Sequence, residues 1–187
     1  AGRAEEYVLQ LTRTRALSTS ASSERIAEPA VAALLIGKSC RAAELGVRMT
    51  LDPESRLPAE PYCLPASAII TILGNLIENA FDAFSAMPAG GGHQVDVSIR
   101  ESAGGLLLSV DDNGPGMPPE LAARIFEPGA TTKGEGRGTG LFLVKRITDA
   151  FHGEARVEST QGVGSSFIVD FRREETDEAP DAGGNSL

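Results

Sequence analysis

Four oxygen-bearing side chains on one side of an otherwise apolar segment are the strongest sign of chemistry in this 187-residue chain. Between Ala66 and Met87, residues Ile69, Ile70, Ile72, Leu73, Leu76, Ile77, Phe81 and Phe84 predict a long buried helix. Asn75, Glu78, Asn79 and Asp82 stand at i, i+3, i+4 and i+7 within it, which puts all four on one face. An ordinary solvent face could show the same spacing. Yet two amides and two acids without a lysine or arginine make a poor solubilising surface. They suit a hard cation such as magnesium, which takes oxygen donors.

Glycine-rich stretches supply the second ingredient. Val110-Asp111-Asp112-Asn113-Gly114-Pro115-Gly116 ends a predicted strand in a carboxylate and then turns at once. By themselves Asn-Gly and Pro-Gly signal only a turn. The run from Lys133 to Leu141 alternates glycine with Glu135, Arg137 and Thr139 and opens a predicted helix containing Phe142, Leu143, Val144 and Ile147. Such glycines let backbone N–H groups converge, and the helix start adds its dipole. The segment therefore reads as a phosphate cradle in preference to a merely flexible loop. A third motif, Gly162-Val163-Gly164-Ser165-Ser166-Phe167, is a turn before the last strand and says little alone. Two other patterns fail. Gly37-Lys38-Ser39 lacks the earlier glycine of a P-loop, because Ala32 stands there. Gly136-Arg137-Gly138 lacks the third glycine of a dinucleotide fingerprint, because Leu141 stands there and no strand leads in.

The elements that must position these groups can be read in order. Residues 4–17 and 22–45 are expected as helices, the second capped by Ser22 or Ser23, with Glu24 in its first turn and Pro29 in an early turn or at a break. Gly46 ends it, and Val47, Met49 and Leu51 alternate as a strand does. A proline-rich connector, 53–65, leads into the long helix. Val95 to Arg100 and Leu106 to Val110 form a hairpin about Gly104-Gly105. The glycine-opened helix runs to about Phe151, and strands Glu154 to Ser159 and Ser166 to Phe171 close the fold. This mixed order predicts an α/β (α+β) two-layer sandwich, one mixed sheet with helices on one face.

Composition sets the outer limits. With 41% apolar residues the chain can bury one core, and its longest apolar run, Ala30 to Ile36, is too short to span a bilayer. No signal-peptide pattern opens the sequence. Cys40 and Cys63 make neither a metal spacing nor a disulfide framework, so a reducing, cytosolic setting is expected. A net charge of −9 argues against a nucleic-acid partner. Part of that charge lies in residues 173–187, which read as a disordered acidic tail.

Taken together and in order, these elements resemble the Bergerat (GHKL) ATP-binding fold, shared by gyrase, one class of heat-shock chaperone, the MutL mismatch-repair proteins and histidine kinases. Asn75 to Ala83 is similar to that family's N box, Asp112 to Gly116 to its first glycine box, and Ile125-Phe126-Glu127-Pro128 to its F box. Gly136 to Gly140 is similar to the second glycine box, and Gly162 to Phe167 to the last. The resemblance implies ATP and Mg2+ as ligands. Asn79 would hold the metal, with Asn75 and Glu78 assisting. Asp82 shares their stripe, although many relatives carry a base there, which speaks against a direct phosphate contact. Asp112 would accept a hydrogen bond from the adenine amino group, with Gly114 and Gly116 allowing close approach. Lys133 and the run Gly136, Arg137, Gly138, Thr139, Gly140 and Leu141 would form the phosphate side, with 117–137 as a mobile lid. Ser165 or Ser166 would support the adenine side. Asn75, Glu78 and Lys133 are the residues with implied catalytic roles.

One position narrows the resemblance. ATP-hydrolysing members place a glutamate base where Asn75 stands, and an amide cannot take that proton. Asn75 therefore favours a histidine kinase, whose nucleophile is an imidazole on another helix. Pro29 to Lys38, Ala42 to Gly46 and Gly129 to Lys133 are similar to the citrate and C4-dicarboxylate sensor kinases. On that likeness residues 1–45 are a helical remnant of a dimerisation domain, 46–172 the ATP-binding catalytic domain and 173–187 the tail. No histidine precedes His93, so the chain is expected to begin after the acceptor. His93 and His152 are read as surface loop residues. Implied partners are the dimerisation domain bearing the acceptor histidine, a response regulator and, in the full-length protein, a second copy. The implied setting is the cytoplasmic side of a membrane-anchored bacterial sensor kinase. Two alternatives stay open: a nucleotide-binding regulatory module that transfers no phosphate, and a chaperone-like or gyrase-like ATPase.

Overall fold

Two alternating runs, 93–99 and 106–112, set the centre of the sheet, because each sends every second side chain to the same buried face. The computed structural model describes residues 25–61, 63–85, 87–88, 91–102, 104–129 and 139–172. The helix expected at 4–17 and the tail at 173–187 lie outside the described residues. In chain order the elements are α1 (Pro29–Glu44), β1 (Arg48–Leu51), α2 (Ala66–Phe84), β2 (Gln94–Ser102) and β3 (Gly105–Asp112). There follow α3 (Pro119–Ala122), α4 (Thr139–Ala150), β4 (Glu154–Thr160) and β5 (Gly164–Arg172).

The strands form one sheet in the order β1-β2-β3-β5-β4. β1 runs parallel to β2, and every other pairing is antiparallel. One face carries Val95, Val97, Ile99, Leu106, Leu108, Val110, Phe167, Val169 and Phe171, all buried. α2 lies on it through Ile69, Ile72, Leu73, Leu76, Ile77 and Phe81, and α1 and α4 both pack against α2. The two-layer sandwich expected from the sequence is the observed fold.

Two local expectations need correction. Helix α1 begins at Pro29, not near Ser22. Proline fixes φ and has no N–H to lose, so it fits a first helical position, and it holds the residue before it extended. Glu28 is that residue, and its Oε2 accepts from Val31 N at 2.6 Å, which makes it the cap of α1; Ser22 and Ser23 lie outside the described residues. Just upstream, Ile26 pairs with Leu57 in a parallel bridge. α1 also packs on the body of the domain. Its Val31, Leu35 and Ala42 are buried in the same core as α2 and the sheet. Last, His93 is not on the surface. It is 7% exposed, its ring stacks on Phe84 with centroids 4.5 Å apart, and its Nε2 donates to Pro88 O at 3.2 Å. His93 is in phase with Val95, Val97 and Ile99, and that alternation carries it inward despite the glycines before it. His152, by contrast, is exposed, in a turn with φ +56°.

Candidate nucleotide site

Asn75 is shaped by its own helix. Thr71 Oγ1 donates to Ser67 O and Asn75 Nδ2 donates to Thr71 O at 2.7 Å, successive side chains turned back on the preceding carbonyl. With its N–H2 committed, Asn75 turns its Oδ1 outward against the first turn of α4. A Cβ placed on Gly140 would lie 2.6 Å from that oxygen, so any larger residue here would push the Asn75 side chain aside. Asn79, one turn further, is half-buried, and its amide has no hydrogen-bond partner among the described residues. Glu78 and Asp82 are exposed, and Glu78 Oε1 receives Lys38 Nζ at 2.5 Å. Thr139 is exposed at the helix start. The side chain of Leu141 is buried in the core, as its spacing to Val144 and Thr148 makes intelligible, so only its backbone is left to meet a ligand.

The opposite end of the site is built by β3. Asp112 falls in phase with Leu108 and Val110, so the strand carries a carboxylate onto the buried face. Burial raises its pKa above the ordinary value, while the N–H groups of Gly114 and Ser165 act to lower it and neighbouring Asp111 adds to the rise. Gly114 N donates to Asp112 Oδ1 at 2.8 Å, and a Cβ on Gly114 would sit 2.7 Å from that same oxygen and 3.3 Å from Ala83 Cβ. The first glycine box thus rests on the end of α2, beside Asp82. Gly140 touches the helix at Asn75 and Gly114 at Ala83, two points about 12 Å apart at the α-helical rise. Gly116 adopts φ +62°, and a Cβ there would lie 2.1 Å from Thr160 O, which locks the loop to the end of β4.

Sequence reasoning missed Ser159. Its Oγ accepts from Met117 N at 2.9 Å, donates to Gly164 O at 3.0 Å and lies 3.0 Å from Ser165 Oγ. A lone serine in a strand carries no motif, so nothing local could have flagged it. Ser165 pairs with Asp112 across β3 and β5 and shares its buried face. Ser166 pairs with Asp111 and belongs to the other face of the sheet, away from the face that carries Asp112 and Ser165. In the F box, Ile125 is buried and Phe126 packs edge-on against Phe167 at 6.3 Å. Lys133, Gly136, Arg137 and Gly138, like the lid beyond Gly129, lie outside the described residues.

An open depression of about 470 Å³ on the other side of the sheet is a rival location. Its lining includes Asp96, Asp111, Asp112 and Glu158 and no lysine or arginine, so it repels a polyphosphate. Asn79 and Gly140 have no part in it. The stripe between Gly140 and Gly114 is the better fit. Among the described residues no three His, Cys, Asp or Glu groups form a metal cluster. Magnesium suits such a site, because it uses few protein oxygens and completes its shell with water and phosphate.

A sheet ending in a buried aspartate, an amide-bearing helix across it and a glycine-opened helix touching that amide define a nucleotide-binding sandwich. The histidine kinase-, DNA gyrase B- and HSP90-like ATPase family matches residues 65–175, and the chain belongs to that family. It is 36% identical over 165 residues to sensor histidine kinase DcuS of Escherichia coli K12, covering 88% of this chain and 30% of that protein. It is also 36% identical over 156 residues to sensor protein CitS of Halalkalibacterium halodurans, covering 83% of this chain and 29% of that one. The chain thus spans about a third or less of the relatives it matches. Among solved structures, the catalytic domain of histidine kinase ThkA aligns with TM-score 0.59 at 22% identity, covering 74% of this chain and 90% of that one. Full-length ShkA in complex with AMPPNP aligns with TM-score 0.59 at 30% identity, covering 74% and 28%. The domain is of the ATP-binding catalytic type found in sensor histidine kinases. No helix among the described residues is long and apolar enough to cross a membrane.

Proposed function

We propose that this domain binds ATP with magnesium along α2 and transfers the γ-phosphate to a histidine on a dimerisation domain. The observation that carries the reading is Asn75, fixed by Thr71 and aimed at the first turn of α4. An amide there accepts no proton, so water is left unactivated and the nucleophile must come from elsewhere. His93 does not serve, because it is buried against Phe84. Asn79, Asn75 and the carboxylates of Glu78 and Asp82 would hold the metal and its waters, and the metal would neutralise the phosphate charge as transfer proceeds. Asp112, flanked by Gly114 and Ser165, would read the adenine amino group. Lys133 and Gly136 to Gly138 would complete the phosphate side.

The wider setting follows from the relatives. A dimerisation domain bearing the acceptor, a homodimer, a response regulator and a membrane-anchored sensor are proposed for the whole protein. For the domain division, the buried face of α1 favours counting Pro29–Glu44 with the ATP-binding unit. Any dimerisation remnant then falls before it. Incubation with labelled ATP, with and without a dimerisation domain supplied separately, tests the central claim. Acid-labile label should appear on the added domain and not on this chain. Steady release of phosphate by the chain alone would instead favour the ATPase reading, and binding without any transfer the regulatory one.

A further inference from the structure

We infer that Lys38 is a positioning residue for the magnesium–nucleotide site, acting through Glu78. The inference rests on reading the α2 stripe as that site. Lys38 lies on α1, outside the residues that match the ATPase family. Leu34 and Lys38 are one turn apart, as are Gly74 and Glu78. A Cβ on Gly74 would sit 4.0 Å from Leu34 Cδ1, and Lys38 Nζ is 2.5 Å from Glu78 Oε1. The two helices therefore run side by side in the same direction here, with the lysine delivered to the edge of the stripe. Its side chain is only 18% exposed, so the stem is held in the α1–α2 seam and the ammonium has little freedom. Glu78 is 52% exposed and, without this partner, free to change rotamer.

Electrostatics gives the contact its purpose. The stripe carries two carboxylates and no base of its own, while magnesium-bound ATP still carries net negative charge. An uncompensated Glu78 would oppose the phosphates that Asn75 and Asn79 must meet. Lys38 cancels that charge and ties down one carboxylate oxygen, leaving the other to take metal-bound water. The Gly-Lys-Ser sequence that resembles a P-loop thus has a helical lysine whose partner is a neighbouring carboxylate. Among the described residues Glu78 is its one ion-pair partner.

Binding of Mg-AMPPNP by calorimetry tests this, with urea unfolding run alongside. Lys38→Met should weaken binding about three- to fivefold, the upper range for a partly exposed pair, while Lys38→Arg stays within about twofold of the parent. In a Glu78→Gln background, Lys38→Met should have no further effect, which a purely structural loss of α1 packing would not reproduce. Equal binding by the parent and Lys38→Met would overturn the inference. So would an undiminished loss in the Glu78→Gln background. Failure of the parent chain to bind Mg-AMPPNP would bring down the site itself and this inference with it.

Discussion

Replacing Gly140 by alanine sets a small gain against a larger loss in the fold and adds a loss in the site. The new Cβ would lie 2.6 Å from Asn75 Oδ1, well inside van der Waals contact, and 3.4 Å from its Cγ. Backbone is not the obstacle, so the asparagine must turn away. Turning breaks the Nδ2 bond to Thr71 O, worth about 1 kcal/mol net, and an off-rotamer side chain costs about 0.5–1.5 kcal/mol. Against this, alanine in a helix restricts the unfolded chain and returns about 0.4–1 kcal/mol. The urea-derived stability of Gly140→Ala should therefore fall by about 0.5–2 kcal/mol relative to the parent. Nucleotide binding has no such compensation. Loss of one amide oxygen from the metal and its waters should weaken Mg-ATP by roughly tenfold, or about 1.4 kcal/mol. Calorimetry with ATP, with and without magnesium, separates the two effects. A stability loss beyond about 2 kcal/mol would refute the side-chain account of the clash. Unchanged Mg-ATP affinity would refute the placing of Asn75 in the site.

Three further outcomes are expected. Asn79→Ala should remove the gain in ATP affinity that magnesium provides while leaving the unfolding midpoint near the parent's, since Asn79 has no hydrogen-bond partner among the described residues; a persistent metal-dependent gain would exclude this residue as a ligand. Asp112→Asn should abolish the preference for ATP over GTP, where a hydrogen bond to a charged group worth about 1.5–3 kcal/mol predicts tenfold or more in the parent. The same carboxylate makes a pH prediction. Its folded pKa is raised, so as pH climbs past 3.8 the unfolded chain loses this proton first, and stability falls until the raised value is passed. At neutral pH the ligand-free Asp112→Asn protein should consequently be more stable than its parent, as urea titrations at pH 4 and pH 7 would show.

What the sequence made legible was what neighbours in the chain determine. The α2 stripe, the β2–β3 hairpin and the turn after Asp112 each follow from spacing within about twenty residues, and the helical and strand periods fix which side chains share a face. Other readings failed where two local signals competed. Serines before α1 looked like caps, but Pro29 and Glu28 set the start. The glycines before His93 looked like surface loop, but the strand period drew the ring under Phe84. Leu141 follows a phosphate-loop pattern yet belongs to the 141, 144, 148 row that α4 buries. Hidden altogether were contacts between distant segments: Ser159 with Met117, Lys38 with Glu78, and the burial of α1 in the core. No period in the sequence encodes them, because each depends on how finished elements meet.

The last strand is also the keystone of the sheet. β5 enters between β3 and β4, so that Gly105 pairs with Arg172 and Asp112 with Ser165. During synthesis the β2–β3 hairpin can form early. Its inner edge nevertheless stays open, with unpaired backbone donors and acceptors, until the chain has emerged nearly to residue 172. β4 meanwhile has no neighbour to bind. Closing so long a loop is the slow step expected of non-local strand pairing, and the waiting edge invites misassociation. Asp112 shares that delay, since its partner Ser165 arrives with the final strand and completes the Ser159 bridge. A ribosome-bound chain halted before Gly164 should therefore hold an assembled helix stripe and an unfinished nucleotide pocket.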